Sequence, residues 1–238
     1  MAPGERRLRS QGFVITGLPS PSVIAPLVSK SVAVVGSGAS AITFISSLRQ
    51  ASRSAPSPTT VHWITRRSSS PLYTRVANDP LPQRDALSLL ANDLISQGGD
   101  GEQLVIRHYG GTGIEALDSK AGRAHLTLAG GGEKVVADFV VSATGYRPDN
   151  SIYSELQVHE CYATSGPMKL AAALMAAGGG GGDCLAQIAP GKDTLRSPEK
   201  NFYILGMKSY GRGSAFLLRI GLEQVQMCVE LLQEEETS

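Results

Sequence analysis

The hydrophobic pattern near the start of the chain places two apolar runs around a segment with one apolar face. Residues 31–36 (SVAVVG) form a nearly continuous valine-rich run, which is typical of a strand buried on both faces of a parallel sheet. In the following segment Ile42, Ile45 and Leu48 lie near one face, which predicts a helix of about three turns. Residues 59–65 are rich in β-branched and aromatic side chains and predict a second strand.

The same alternation continues further along the chain. Residues 85–97 carry leucines at helical spacing, and residues 104–109 form a third apolar run. Two more strands are predicted at residues 124–128 and 135–142, on either side of a glycine turn. Strands that alternate with helices indicate an α/β fold with a parallel sheet, here in a three-layer domain over residues 30–147.

The pattern differs on both sides of this domain. Residues 1–29 lack regular periodicity and are interpreted as an extension, whereas residues 148–238 form a second region. In that region residues 169–177 predict an alanine-rich helix, and the glycine run that follows it predicts a flexible loop at residues 178–182. Residues 201–206 (NFYILG) predict a final strand.

The most regular helix is predicted at residues 214–233, with Ser214 as its N-cap. Its apolar residues recur at spacings of four and three, and three others widen the apolar face, so we expect a buried helix. The periodic residues are Leu218, Leu222, Val225, Val229 and Leu232, and the widening ones are Ile220, Cys228 and Leu231.

Composition excludes several classes of protein. The 22 basic and 21 acidic side chains are nearly balanced, which argues against a nucleic-acid partner. No run of 18 apolar residues occurs, so no membrane span is expected. Cys161, Cys184 and Cys228 are far apart, which excludes a disulfide framework and a redox-active dithiol. We expect reduced thiols and a cytoplasmic protein, although the arginines near the start leave organellar targeting open.

A glycine-rich turn follows the first strand. Gly36-x-Gly38-x-x-Ala41 matches the dinucleotide-binding fingerprint in its permitted alanine form. Gly36 suits the tight turn, Gly38 lets the backbone approach a pyrophosphate, and Ala41 lets the helix pack closely on the strand. The preceding strand and following helix predict a Rossmann-like NAD(P)-binding domain, with Ser40 beside the pyrophosphate. The alternative is a glycine turn that binds no ligand.

The end of the second strand indicates which coenzyme is bound. NAD and FAD sites place Asp or Glu there to bind ribose hydroxyls, whereas this chain has Arg66 and Arg67. Guanidinium groups bind a 2′-phosphate through paired hydrogen bonds, so the two arginines favour NADP over NAD. The missing carboxylate argues against FAD in this site. The alternative is a solvated pair of arginines at a strand end.

Residues 138–149 (DFVVSATGYRPD) carry a family resemblance. Ala143, Thr144, Gly145 and Tyr146 resemble the crossover segment of flavoproteins with two dinucleotide-binding domains, among them flavin-dependent monooxygenases and pyridine nucleotide oxidoreductases. In that family the segment leads from the NAD(P)H domain back to the FAD domain. The resemblance implies that these small residues close the floor near the nicotinamide or flavin. An ordinary strand exit is the alternative.

The resemblance extends less specifically to the C-terminal region. Residues 202–206 resemble the family's last strand, after which an aspartate contacts the flavin. The resemblance implies cofactor contact at Gly206, but Met207 stands where the aspartate is expected. Residues 208–212 (KSYGR) either supply hydrogen-bond donors in place of that aspartate or form a plain polar loop.

The family's first FAD-binding strand, glycine turn and helix have no counterpart before residue 31. Residues 13–21 instead resemble the crossover into the NAD(P)H domain. We therefore expect the chain to correspond to the NAD(P)H domain and the C-terminal part of the FAD domain, over roughly residues 12–233. Either it is truncated, or it is a family member that has lost its flavin lobe.

Other candidate chemistry is weaker. His159, Glu160 and Cys161 are metal-ligating types, but a fourth ligand at usable spacing is missing, so no metal is expected. Asp79 and Arg84 either line a cleft over the nicotinamide or belong to a structural turn. No Gly-x-Ser-x-Gly elbow is present, so a hydrolase triad lacks its nucleophile.

These observations predict the NADP(H)-binding part of a flavin-dependent oxidoreductase. Hydride would pass from NADPH to FAD, if a flavin lobe is supplied, and then to an unknown small substrate. No catalytic side chain is assigned, and an oligomer is possible. One alternative is a nucleotide-binding module without catalysis. A single-domain reductase is another, although the Tyr-x-x-x-Lys pair of short-chain dehydrogenases is lacking.

Overall fold

A computed structural model describes most of the 238 residues: 2–17, 19–68, 71–73, 75, 82–99, 103–177, 189–213 and 216–236. The chain divides into two compact units, Met1–Gly145 and Tyr146–Ser238. The predicted loop at residues 178–182, Ser214 and Asp79 lie outside the described residues.

The first unit is built on a five-stranded parallel sheet. Its strands are β1 (Val14–Ile15), β2 (Ser31–Val35), β3 (Thr59–Thr65), β4 (Leu104–Gly110) and β8 (Phe139–Ser142). They stand in the order β1, β8, β2, β3, β4, and every neighbouring pair is parallel. The predicted α/β fold with a parallel sheet is therefore confirmed, and it is Rossmann-like.

Helices cover one face of this sheet. They are α2 (Pro21–Ile24), α3 (Ala39–Ser52) and α4 (Pro82–Gln97). Alternate residues of a strand face opposite sides, so Val32, Val34 and Trp63 pack against the helices while Ala33 and Ile64 face the other way. The apolar side of α3, with Phe44, Ile45 and Leu48, is fully buried there.

A second, antiparallel sheet forms the opposite layer. It contains β5 (Ile114–Lys120), β6 (Arg123–Leu128) and β7 (Lys134–Ala137), and it packs on the parallel sheet together with the short helix α1 (Glu5–Ser10). Thus the three layers are helices, parallel sheet and antiparallel sheet. Strand β5 was not predicted, because its alternating residues are mostly exposed or half-buried and give little apolar signal.

The single strand predicted over residues 135–142 is two strands. The chain leaves the antiparallel sheet at Ala137 and enters the parallel sheet at Phe139. Between them, the Asp138 carboxylate accepts a hydrogen bond from the Ser31 amide (2.8 Å) and one from Arg123 Nε (3.0 Å). The side chain therefore holds the point where the chain changes sheets.

The described residues of the second unit form the helices α5 (Met168–Ala176) and α6 (Leu218–Glu236), and 3₁₀ turns. Its core joins Leu170, Ala189, Tyr210 and Ile220. The strand predicted at residues 201–206 is not formed, because residues 202–205 have no strand beside them in the described part of this unit.

Helix α6 also differs from its prediction. Ile220, Gln224 and Leu231 are buried against the unit, whereas the periodic leucines and valines of the predicted buried face are exposed. The expectation that this stripe is buried was wrong, because the helix packs through its opposite side. None of the described helices is both long enough and apolar enough to cross a membrane.

Candidate functional site

The glycine turn joins β2 to α3 at the carboxyl edge of the parallel sheet. Gly36 has φ +129°, a backbone conformation that side chains disfavour. Its amide donates to the Ile64 carbonyl (3.0 Å). Its carbonyl accepts a hydrogen bond from Trp63 Nε1 (2.8 Å). The turn is therefore fixed to the neighbouring strand through both the amide and the carbonyl of Gly36.

Gly36 also lies against the segment that follows β8. A Cβ at Gly36 would stand 2.2 Å from the Ala143 carbonyl oxygen and 2.8 Å from the carbonyl carbon. The Ala143 amide donates to the Val35 carbonyl (2.9 Å). Two regions that are distant in sequence, the glycine turn and the Ala143–Gly145 segment, thus meet at the same edge of the sheet.

Gly38 faces open space at the first turn of α3. It is exposed, its φ is −87°, and nothing lies within 4 Å of a Cβ built on it. Within the described residues, no side-chain oxygen caps the helix at this position. The amides of a helix N-terminus and the helix dipole attract an anion, and here a phosphate can approach the backbone closely.

The other two fingerprint residues occupy different environments. Ser40 is half-buried in the first turn of α3, where its hydroxyl is close to the helix N-terminus. Ala41 is fully buried and packs with the β2 residues Val32 and Val34. This is the close contact between helix and strand for which a small third residue is required.

Arg66 and Arg67 leave the same edge of the sheet one strand away. Val35 is in register with Ile64, so Gly36 stands beside the end of β3, where both arginines are exposed. Neighbouring strands are about 4.8 Å apart, well within the reach of an arginine side chain. The structure therefore brings the open helix N-terminus and the two guanidinium groups to one edge.

A hydrogen-bond clamp fixes the backbone that carries these arginines. The Thr65 hydroxyl donates to the Arg67 carbonyl (2.8 Å), and the Gly111 amide donates to the same oxygen (3.1 Å). The Thr65 hydroxyl donates its only proton to the Arg67 carbonyl, so in its contact with His108 it must be the acceptor. It accepts a hydrogen bond from Nε2–H of His108 (2.8 Å). Burial lowers the pKa of His108 and favours the neutral ring that this arrangement uses.

Room for the clamp comes from glycine. A Cβ at Gly110 would stand 3.0 Å from His108 Cε1 and 3.3 Å from the Arg67 carbonyl oxygen.

The sequence did not identify Thr65, His108 and Trp63 as residues of this site. A hydroxyl just before a basic pair is a local signal for Thr65, since such side chains often bond to nearby carbonyls. His108 could be found only from the register of β3 with β4, which brings it beside Thr65.

The Ala143–Gly145 segment forms the other side of this edge. Ala143 is half-buried, Thr144 and Gly145 are exposed, and Gly145 has φ +87°. The Thr144 hydroxyl lies 3.5 Å from that of Ser142. These small residues leave the backbone accessible, as the resemblance to the flavoprotein crossover implies.

Gly206 belongs to the second unit. It begins a 3₁₀ turn (Gly206–Tyr210) with φ +70°, and its amide donates to Gln224 Oε1 (2.8 Å). Gln224 Nε2 donates to the Ser209 hydroxyl (2.9 Å), and that hydroxyl donates to the Gly206 carbonyl (2.7 Å). Gln224, to which the sequence assigned no role, is thus the buried anchor of this turn. Met207 beside it is exposed.

Two of the weaker candidates, Arg84 and Glu160, make local contacts. Arg84 lies in the first turns of α4, where its carbonyl accepts from the Ser88 hydroxyl. Glu160 accepts a hydrogen bond from the Asn150 side chain. The part of the chain that is described holds no group of three His, Cys, Asp or Glu that could bind a metal ion.

No protein-family model matches the chain, and no curated protein sequence matches it. Solved structures match it in fold. Bacillithiol disulfide reductase from Bacillus cereus superposes with TM-score 0.61 and 16% identity, over 98% of this chain and 57% of that chain. The corresponding reductase from Staphylococcus aureus gives 0.55 and 14%, over 89% and 53%. An HOCl-induced flavoprotein disulfide reductase from Escherichia coli gives 0.54 and 12%, over 97% and 41%.

At these identities the comparisons establish a shared fold. The resemblance to FAD/NAD(P)-dependent oxidoreductases that the sequence indicated is therefore confirmed at the level of the fold. The chain spans little more than half of the Bacillus cereus reductase and a smaller share of the other two.

Proposed function

We propose that this chain binds NADP(H) at the carboxyl edge of the parallel sheet and forms the NADP(H)-binding part of a flavin-dependent oxidoreductase. One observation carries the proposal: the open N-terminus of α3 at Gly38 lies one strand from the exposed pair Arg66 and Arg67. A pyrophosphate and a 2′-phosphate are the two anions of NADP(H), and they need two such sites close together.

Each part of the edge has a role in this proposal. The amides after Gly38 and the Ser40 hydroxyl bind the pyrophosphate, while Gly36 keeps the turn tight enough to present them. Arg66 and Arg67 bind the 2′-phosphate through charge-assisted hydrogen bonds. Ala143, Thr144 and Gly145 form the floor beside the nicotinamide.

The coenzyme itself supplies the hydride. The chain's residues orient the coenzyme, so no side chain is assigned as acid or base. In the described residues the Gly36–Ala41 segment is the single strand–glycine turn–helix of this kind, and it has arginines where an FAD site has a carboxylate. FAD therefore does not fit this edge, and a flavin would need a further lobe.

The coenzyme site can be tested by fluorescence. Trp63 is the only tryptophan, and it contacts the glycine turn, so energy transfer from Trp63 to reduced nicotinamide reports binding directly. We expect NADPH to bind more tightly than NADH. Arg66→Ala or Arg67→Ala should weaken NADPH binding by about 10-fold or more, as expected for a lost charge-assisted hydrogen bond of about 1.5–3 kcal/mol.

Arg53→Ala is the matched control. Arg53 is exposed at the opposite end of α3, so its removal changes net charge equally and should leave NADPH binding within about 2-fold. NADPH binding that is equally weak in the wild type and all three variants would overturn the proposal. Binding that is strong but unaffected at Arg66 and Arg67 would overturn the role of the arginines.

A second candidate function is a nucleotide-binding module without redox chemistry. Met207 favours it, because the family resemblance implies an aspartate there. Purified protein that binds NADPH, carries no flavin absorbance and does not oxidise NADPH when FAD is added would support this candidate. Flavin reduction by NADPH would support the first. The cytoplasmic location and the small-molecule substrate stay predictions.

A further inference from the structure

Helix α6 has apolar side chains on two nearly opposite sides. Ile220, Gln224 and Leu231 pack into the second unit and are at most 1% exposed. The opposite side carries five apolar residues, here called the outer stripe, which are between 41% and 76% exposed. The outer stripe consists of Leu218, Leu222, Val225, Val229 and Leu232.

The spacing of the outer stripe is that of a helix that packs on another helix. Its residues are separated by four, three, four and three positions, which is two repeats of the heptad pattern. This pattern places knobs every 3.5 residues along a seam about 21 Å long. A helix exposed to water on this side would ordinarily carry polar residues there.

Residues beside the outer stripe permit contact between identical copies. Gly221, Gln226, Cys228 and Gln233 occupy the flanking heptad positions between Arg219 and Glu235, and they carry no charge at neutral pH, so two copies would not repel each other in the middle of the seam. The area of the outer stripe is also large enough for a specific association. If a second copy covers these five exposed side chains, on the order of 1,000 Å² is buried across the two copies, which is in the lower range for such an association.

Charges at the helix ends select the relative direction of the two copies. Arg219 lies in the first turn, where it pairs with Glu223, whereas residues 234–236 are three consecutive glutamates at the other end, of which Glu234 pairs with Lys192 and Arg196. A parallel pair would place the glutamates of both copies and the negative ends of both dipoles together. An antiparallel pair keeps the glutamates of the two copies, and the negative ends of their dipoles, at opposite ends of the seam.

We propose that the outer stripe is the self-association surface of this protein, at which α6 pairs with α6 of a second copy in antiparallel orientation. Val225 is the middle residue of the stripe, so it lies on the two-fold axis and meets Val225 of the second copy. Leu218 then meets Leu232 of the second copy at each end of the seam. Every residue of this surface lies in the second unit, whereas the glycine turn and the two arginines of the proposed coenzyme site lie in the first.

Analytical ultracentrifugation of the full chain tests the association. We expect the mass to rise with concentration from 25.0 kDa to twice that value, with a dissociation constant in the micromolar range. Val225→Glu places two like charges on the axis and should weaken association at least 100-fold. Ile152→Glu is the matched control, because it adds the same charge at an exposed apolar residue outside the stripe and should leave association unchanged.

Disulfide cross-linking tests the orientation. In a variant without the three native cysteines, Val225→Cys should form a cross-linked dimer under mild oxidation, whereas Leu218→Cys should not. Circular dichroism of each variant verifies the fold. A wild-type chain that stays at 25.0 kDa at 200 μM (roughly 20-fold above a 10 μM dissociation constant) would overturn the proposal. So would an unchanged dimer in Val225→Glu, and cross-linking through Leu218→Cys would overturn the antiparallel pairing.

Discussion

The Ala143 carbonyl oxygen lies 2.2 Å from the position that a Cβ on Gly36 would occupy. No real Cβ tolerates such a contact, and the oxygen belongs to a backbone that is itself held by the Ala143–Val35 hydrogen bond. Glycine at position 36 is therefore a requirement of the fold before it is a requirement of coenzyme binding. The first glycine of the fingerprint joins the two segments that form the edge of the site.

The two glycines of the turn should respond differently to the same substitution. In Gly36→Ala the new Cβ would clash with the Ala143 carbonyl, and alanine would have to adopt φ +129°. The substitution should therefore lower the free energy of unfolding by about 3 kcal/mol. In Gly38→Ala the new Cβ has no neighbouring atom within 4 Å, so the free energy of unfolding should fall by less than about 1 kcal/mol. Its methyl group does, however, block the approach of a pyrophosphate, so NADPH binding should weaken by about 10-fold or more.

Urea unfolding and NADPH titration of both variants separate the two effects. Gly38→Ala serves as the stability control for Gly36→Ala, and the wild type serves as the binding control for Gly38→Ala. A Gly38→Ala variant that binds NADPH as the wild type does would contradict the placement of the pyrophosphate.

Thr65 should control the preference for NADPH over NADH. Thr65→Val keeps the shape of the side chain but removes the hydrogen bond to the Arg67 carbonyl, so that only the Gly111 amide holds the backbone of the arginine pair. We expect the NADPH-to-NADH affinity ratio to fall about 10-fold, while NADH binding itself changes little. Thr65→Ser keeps the hydroxyl and should restore the ratio. Equal losses for both coenzymes would indicate a general loss of stability instead.

Much of the first unit could be predicted because its signals are local. The valine run of β2, the apolar face of α3 and the glycine turn between them each lie within a short stretch, and burial on both faces of a parallel strand produces a continuous apolar run. The turn residues Gly36 and Gly38 could be identified for the same reason.

What escaped prediction depends on distant pairing. The change of sheet at Asp138 and the His108–Thr65 contact arise from strand register, which a hydrophobic pattern does not specify. The outer face of α6 shows the opposite problem. Its heptad pattern predicted a buried face, which was wrong for this chain, because the pattern alone does not say whether a covering surface lies in the same chain.

Asp138 should contribute more to stability than its partial exposure suggests. Asp138→Asn leaves one acceptor oxygen to serve both the Ser31 amide and Arg123, and it removes the charge that attracts the guanidinium. We expect the first unit to lose about 1–3 kcal/mol in urea unfolding. Asp118→Asn is the control, because Asp118 pairs with Arg7 at an exposed site and should cost less than about 0.5 kcal/mol. Equal costs at the two positions would contradict the role assigned to Asp138.

Cys161 should react with thiol reagents at lower pH than an ordinary cysteine. Hydrogen bonds from the Thr164 hydroxyl, the Thr164 amide and the Ala163 amide favour the thiolate and lower the pKa of Cys161. In a variant with Cys184 and Cys228 replaced by alanine, the rate of iodoacetamide labelling reports this titration. We expect its midpoint below the usual value of about 8.5. Thr164→Val should move the midpoint up and Thr164→Ser should not, whereas a midpoint unchanged in both would show that the hydroxyl does not stabilise the thiolate.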